Sequence, residues 1–255
     1  MPTHFTPEAL KFLRGLSRHN DRAWFAPRKA IYERELKVPM LALIEEINHA
    51  FGDFAPDHIR PPHKAMMRIY RDTRFDAARG TEPRPYKTNV AAWWVRRGLE
   101  KTSGAGFYFH LSPKEVVIAA GMYMPSPEQL LSVRRHILTH HAELRALLAG
   151  RRLKSAMQEF EGHRLTRAPR GFPADSPALD LLLCRQWGVS ATLPAEAALA
   201  PTLLKEITRR FSLAAPIVHF LNTPLIAGAP TAARLEGPKA GFRTRRAEPR
   251  EDLLD

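Results

Sequence analysis

The stretch GFYFHLSPKEVVIAAGMYM (residues 106–124) carries two strand patterns joined by a short polar turn. In its first part, apolar side chains at the odd positions alternate with Tyr108 and His110, the period of a half-buried strand. The turn SPKE (112–115) then leads into an apolar run, residues 116–124. This order predicts a β-hairpin, with Tyr108 and His110 on the face opposite the apolar side chains.

Three other short stretches are candidate strands of the same sheet. In residues 66–70, Met67 and Ile69 are expected to face the core, and Arg68 and Tyr70 to point the other way. The remaining candidates are residues 90–95, which contain two adjacent tryptophans, and residues 187–191.

Helical patterns surround these strands. Thr6 and Pro7 are typical of a helix start, and Pro39 predicts a kink or a restart before an apolar helical face that ends at Gly52. Ser126 with the prolines on either side of it predicts another start. Further helices are predicted at residues 152–160, 179–184 and 201–221.

These patterns predict one α+β domain over residues 1–223, with a small mainly antiparallel sheet packed against several helices. Residues 224–255 turn to Gly, Pro, Ala and mixed charge. Such a composition buries too little apolar surface to offset the entropy of ordering, so we expect a flexible tail there.

The composition is that of a globular protein, with 44% hydrophobic and 25% charged residues among 255. No apolar run approaches the ~20 residues of a membrane helix. The N-terminus lacks the pattern of a secretion signal, and the single cysteine, Cys184, suits a reducing compartment. We therefore expect a soluble cytoplasmic protein without a membrane partner.

The formal net charge of +13 is concentrated in one part of the chain. Residues 60–101 hold 11 Lys and Arg against 4 Asp and Glu, whereas residues 1–59 are balanced at 8 and 8. A general enrichment in arginine would explain the total but explains the clustering less well. A surplus of this kind steers anionic partners toward one surface.

The basic region includes YRDTRFDAARGTEPRPYKTNV (residues 70–90), the predicted binding segment. If residues 66–70 and 106–111 belong to one sheet, an open face carries a guanidinium, two phenols and an imidazole, which outlines a pocket for an anion. The predicted site consists of Arg68, Tyr70, Tyr108 and His110 on that face, with Arg71, Arg74, Tyr86 and Lys87 around it.

Several roles remain open for Asp72. It could hold one arginine in position, ligate a metal, or take up a proton as a catalytic group. The alternative to a binding site is an internal network in which Asp72 pairs with Arg71 or Arg74 and fixes a loop.

Two other groups of residues were weighed as sites. His136 and His140 share a helix face, a spacing that can chelate zinc, but Arg134 and Arg135 would repel a cation, which favours a solvated face. Cys184 ends an apolar run and is typical of a buried small hydrophobe. The chain has no Walker A sequence and no G-x-S-x-G elbow. No metal site is predicted, and the sequence names no cofactor.

The sequence resembles the DUF2461 family over roughly residues 5 to 222. The resemblance implies no activity, because that family has no assigned function. One departure is the segment DAARGTEPR (76–84), where a lysine expected in the family is replaced, if at all, by Arg79 or Arg84. The blocks that carry the resemblance are NDRAWF (20–25), RIYRDTRF (68–75), PYKTNV (85–90), GFYFHLSP (106–113), AAGMYMPSPEQL (119–130) and APRGFP (168–173).

Three functions are compatible with these features. The first, which we favour, is binding of a small anionic ligand such as a phosphorylated metabolite or a nucleotide. The second is an enzyme acting on such a ligand, with Asp72 or His110 as general acid or base. The third, less favoured, is a nucleic-acid surface that pairs basic side chains with stacking rings, namely Tyr70, Phe75, Tyr86, Trp93 and Trp94.

Overall fold

A five-stranded antiparallel sheet forms one layer of the protein. The computed structural model describes residues 4–73, 84–99, 104–160 and 164–227. The strands lie in the order β1-β2-β3-β5-β4. Their bounds are β1 Val90–Val95, β2 Gly106–Leu111, β3 Glu115–Met122, β4 Gln158–Glu159 and β5 Trp187–Pro194.

Helices cover one face of this sheet, which confirms the predicted single α+β domain. Helix α9 packs across β3 and β2, α4 lies beside it over β1, and α6 packs on α9. The α-helices of the described residues are α1 Pro7–Arg18, α2 Arg22–Phe25, α3 Lys29–Tyr32, α4 Val38–Phe54, α5 Pro62–Ala65, α6 Pro127–Ala149, α7 Arg151–Lys154, α8 Leu179–Leu182 and α9 Leu203–Ala227.

The β2–β3 hairpin is confirmed, with Leu111 paired to Val116 across its turn. Because paired residues share a face, the row Trp94, Phe107, Ala120 and Val189 points to the helices and is buried. The opposite row consists of Trp93, Tyr108, Ala119 and Ser190. Residues 90–95 and 187–191 are both in strands, as predicted.

The predicted helix starts at Thr6 and Ser126 are confirmed. The Thr6 hydroxyl accepts a hydrogen bond from the Ala9 amide at 3.3 Å, and Ser126 forms a capping box with Gln129. Pro39 lies in the first turn of α4, after a π-helical turn at Glu33–Lys37. The expected restart there is therefore confirmed.

Helix α9 extends beyond the predicted end near residue 221. It continues through Pro216 and Pro224 to Ala227. Asn222, fully buried, explains part of this continuation, because its amide bonds both the N–H and the C=O of Ala105 at 2.8 and 3.0 Å. Of the tail predicted over residues 224–255, residues 224–227 are helical instead, and residues 228–255 lie outside the described residues.

Asn48 makes a similar backbone clamp in α4. Its side chain donates to the Arg60 carbonyl at 2.6 Å and accepts from the Arg60 amide at 3.4 Å. The same oxygen also accepts from the Trp94 indole N–H at 3.2 Å. Asn48 therefore joins the loop after α4 to β1.

Two local predictions are wrong. Residues 66–70 form two isolated bridges rather than a strand, and Met66, not Met67, packs against the core, while Met67 is 38% exposed. The helix predicted over residues 152–160 ends at Lys154, and Gln158 and Glu159 pair with β5. In both cases the segment pairs with a strand or loop that is distant in the sequence. The polarity pattern within a single segment does not reveal such pairing.

One property bears on membranes. Among the described residues, no helix combines the length and the apolar character that crossing a membrane would require.

Candidate functional site

Residues 66–71 run antiparallel to residues 85–92 at the edge of β1. Met66 bridges Ala92, and Tyr70 bridges Tyr86. Between the two bridges, Met66 and Tyr70 are four positions apart, whereas Tyr86 and Ala92 are six positions apart. The two extra residues form a bulge around Thr88 and Asn89. A bulge at a sheet edge redirects side chains.

The bulge borders a hollow of about 350 Å³, called here the basic hollow. It is lined by residues from four parts of the chain: the loop before α2, residues 66–71, residues 84–89, which include the bulge, and β2. These residues are Asn20, Met67, Arg71, Arg84, Tyr86, Lys87, Thr88, Asn89 and Tyr108.

Three cationic side chains line the basic hollow. Arg71 and Arg84 are exposed, and each has an interaction partner. Lys87 is half-buried, and burial, followed by repulsion from Arg68, lowers its pKa. Of these three charges, that of Lys87 is therefore the one screened least by solvent.

The wall of the basic hollow at Tyr86 is fixed by the N-terminal helices. The Asn20 amide donates to the Tyr86 carbonyl and accepts from the Tyr86 N–H, both at 3.0 Å. The Phe25 ring stacks on the Tyr86 ring at 4.1 Å with planes 14° apart. The block NDRAWF thus holds the block PYKTNV in place.

Tyr108 connects the basic hollow to a polar chain on the uncovered side of β2. Its hydroxyl lies 3.1 Å from His110 Nδ1, and His110 Nε2 lies 3.8 Å from Glu115 Oε1. The carboxylate favours a proton on Nε2, so Nδ1 accepts and the Tyr108 hydroxyl donates. Burial lowers the pKa of His110, an effect that Glu115 opposes. Burial, with a smaller contribution from Tyr123, raises the pKa of Tyr108 to about 12.

The predicted site residues fall into three groups. Arg71, Tyr86, Lys87 and Tyr108 are brought together around the basic hollow. Three predicted residues do not line the basic hollow but interact with residues that do. Arg68 lowers the pKa of Lys87, the Tyr70 ring lies 5.5 Å from the Tyr86 ring, and His110 contacts Tyr108.

Asp72 and Arg74 differ from both groups. Asp72 is exposed, has an interaction partner and is outside the lining of the basic hollow. Arg74 lies outside the described residues, as does Arg79. Tyr70 does not share a single open face with Tyr108 as expected, because its bridge to Tyr86 turns the ring toward Phe25, 6.5 Å away.

Five lining residues were outside the predicted site. Met67 was expected to face the core and Arg84 was named only as a possible substitute for a family lysine, and the other three are Asn20, Thr88 and Asn89. Asn20 belongs to the block NDRAWF, and Thr88 and Asn89 belong to the block PYKTNV, so the resemblance could have indicated all three. The role of Asn20, however, depends on a contact with a residue 66 positions away in the chain.

The two other weighed candidates lie elsewhere. His136 and His140 stack at 4.3 Å, His136 also packs on Phe220, and His140 Nδ1 lies 3.0 Å from the His136 carbonyl. Within the described part of the chain, no group of three or more potential metal ligands is present. Cys184 is half-buried, and burial raises the pKa of its thiol.

Comparisons with known proteins give one match. The family model described as "Conserved hypothetical protein (DUF2461)" matches residues 8–220 of the 255-residue chain. No curated protein and no solved structure matches the chain.

Proposed function

The chain belongs to the DUF2461 family, whose description assigns no activity, and we propose from the site itself that the basic hollow binds a small anionic ligand. The ligand class is a phosphorylated metabolite or a nucleotide. Supporting this proposal is the convergence of Arg71, Arg84 and Lys87 on one hollow.

Lys87 supports the proposal most directly. Folding brings its ammonium out of bulk water and near Arg68, and both effects lower its pKa. A bound anion would oppose both effects, since its negative charge stabilises the protonated form of the Lys87 ammonium. The site is therefore expected to be more stable when it is occupied.

The remaining lining matches such a ligand in size and in hydrogen bonding. A hollow of about 350 Å³ is in the range of small-molecule sites. Arginine offers paired N–H donors that fit phosphate oxygens, and Thr88 and Asn89 add neutral polar groups. The Tyr108 hydroxyl is protonated at neutral pH, as for any tyrosine, and burial raises its pKa further, to about 12.

The test is calorimetric titration of the full chain with pyrophosphate and with AMP at low salt. Lys87→Met is expected to weaken binding about 10- to 100-fold, the loss of one charge-assisted hydrogen bond. The same variant should keep or raise the thermal unfolding midpoint, because it removes a charge that folding disfavours. Lys64→Met, an exposed lysine in α5, is the matched control and should bind normally.

Each alternative gives a different result. Unchanged affinity in Lys87→Met would contradict the proposal, and a lower unfolding midpoint would show that Lys87 has a structural role instead. Binding to DNA or RNA that weakens steeply with salt would favour a nucleic-acid surface. Turnover of a phosphorylated probe that is lost in His110→Gln or in Asp72→Asn while binding persists would favour an enzyme that uses that residue as general acid or base.

A further inference from the structure

A second cavity, of about 430 Å³, lies at the opposite edge of the sheet. It is enclosed by β4, β5 and the helices α6 to α9, and we call it the Cys184 cavity. It shares no lining residue with the basic hollow.

The floor of the Cys184 cavity is apolar. Leu144, Trp187 and Ile217 are buried in the core and also line the cavity. The indole N–H of Trp187 is already bonded to the Leu181 carbonyl at 3.0 Å. The floor therefore presents carbon rather than unsatisfied polar groups.

Phe160 forms an apolar wall because residue 188 has no side chain. A Cβ at Gly188 would lie 2.5 Å from the Phe160 ring, and the Phe160 amide is bonded to the Gly188 carbonyl at 2.9 Å. Only glycine at position 188 leaves space for this wall.

The mouth of the Cys184 cavity carries charge. Arg145 and Asp180 neutralise each other through two hydrogen bonds, at 2.6 and 3.1 Å. Among the described residues that line the mouth, Lys154 and Arg164 remain, against the carboxylate of Glu159. Within the described residues, neither the Lys154 nor the Arg164 side chain forms a hydrogen bond or an ion pair.

We propose that the Cys184 cavity binds an amphipathic monoanion, with an alkyl or aryl body on the apolar floor and a carboxylate beside Lys154 and Arg164. A neutral hydrophobic molecule would leave the two cations unused, and an inorganic anion would gain nothing from the floor. The volume of the cavity suits a body of this kind.

The chain contains a built-in reporter for this site. Cys184 lines the cavity and is the only cysteine in the sequence. The rate at which iodoacetamide, a neutral reagent, alkylates the Cys184 sulfur in the full-length protein therefore measures how accessible the cavity is.

Octanoate below its micellar concentration is the probe. At ten times its Kd, it is expected to slow alkylation about tenfold, since only the unoccupied cavity reacts. Octylamine and acetate, which lack the anionic head and the apolar body respectively, should leave the rate unchanged. Absence of protection by octanoate, or equal protection by octylamine, would overturn the proposal.

Two charge reversals test where the head group lies. Lys154→Glu and Arg164→Glu should each weaken protection by octanoate about fivefold, the upper end for an exposed ion pair. Lys205 is an exposed lysine of α9 outside the cavity. In the control variant Lys205→Glu, octanoate should protect Cys184 as well as it does in the wild type. Full protection in both reversal variants would overturn the assignment of the head group. Pyrophosphate should not protect Cys184, so this proposal and that for the basic hollow fail independently.

Discussion

A buried histidine, His58, connects the stability of the fold to pH. It is 4% exposed, and its Nδ1 lies 3.1 Å from the Trp94 carbonyl oxygen. Because a carbonyl oxygen only accepts, Nδ1 carries a proton and donates this hydrogen bond. Burial lowers the pKa of His58 to about 4, although the bond to Trp94 and the charge of Asp57 oppose the shift.

This shift gives the first prediction. Between the unfolded pKa of 6.5 and the folded value of about 4, the unfolded chain binds a proton that the folded protein does not. The free energy of unfolding therefore falls as pH falls through this window, by about 3 kcal/mol in all. His58→Gln, which keeps a side-chain donor, should lose less stability than the wild type between pH 7 and pH 4 in urea titrations.

The comparison with this variant is needed because other groups also respond to acid. His110 and His136 likewise have a pKa lowered mainly by burial, so some acid sensitivity remains in His58→Gln. Identical pH dependence of the two proteins would contradict the role given to His58.

Among the elements, α1 depends on a hydroxyl that acts in two directions. The Thr6 side chain accepts from the Ala9 amide and donates to Glu35 Oε2 at 2.6 Å. It therefore caps α1 and joins it to the π-helical turn Glu33–Lys37. The hydrogen bond from Thr6, followed by that from Arg34, lowers the pKa of Glu35.

Removing this hydroxyl is the second prediction. Thr6→Ala should cost about 1 kcal/mol, the usual loss for an N-cap, seen as a lower urea midpoint at an unchanged slope. Thr6→Ser keeps the donor and the acceptor and should retain most of the stability. A serine variant as unstable as the alanine variant would show that the methyl group, not the hydroxyl, is responsible.

The elements also show how far local sequence predicts structure. The hairpin and the starts of α1 and α6 were predicted because alternation, proline and capping hydroxyls act within a few residues. Residues 66–70 and 152–160 were not, because their pairing partners lie at 85–92 and in β5. A pattern within one segment contains no information about a bulge in its partner.

For the molecule as a whole, one aromatic cluster connects both layers. Phe51 of α4 contacts Trp94, Phe107 and Phe211, with ring centroids 5.7, 4.9 and 5.9 Å apart. These partners belong to β1, β2 and α9. Helices and sheet therefore share their largest buried side chains.

This shared core leads to the third prediction. Phe51→Ala should cost about 3–5 kcal/mol, the usual range for a buried phenylalanine, and unfolding should stay a single transition. Far-UV circular dichroism and tryptophan fluorescence are expected to give the same midpoint. Phe54→Ala, at the partly exposed edge of the cluster, is the comparison and should cost less. Separate midpoints for the two signals would show that the layers unfold independently.

The candidate site was predictable in part. The charge surplus of residues 60–101 and the alternation of β2 indicated Arg71, Lys87 and Tyr108 as neighbours. Asn20 could not be inferred, because its place depends on how the N-terminal helices dock. Whether the hollow binds an anion remains a prediction.

The three asparagine clamps bear on how such a protein can diverge. Asn20, Asn48 and Asn222 bind main-chain atoms of Tyr86, Arg60 and Ala105, not their side chains. Every amino acid except proline offers the same N–H and C=O to such an amide. The hydrogen bonds of each clamp therefore tolerate any clamped residue except proline. Because Asn20 and Tyr86 also line the basic hollow, a substitution at either position alters the proposed ligand contacts and the architecture together.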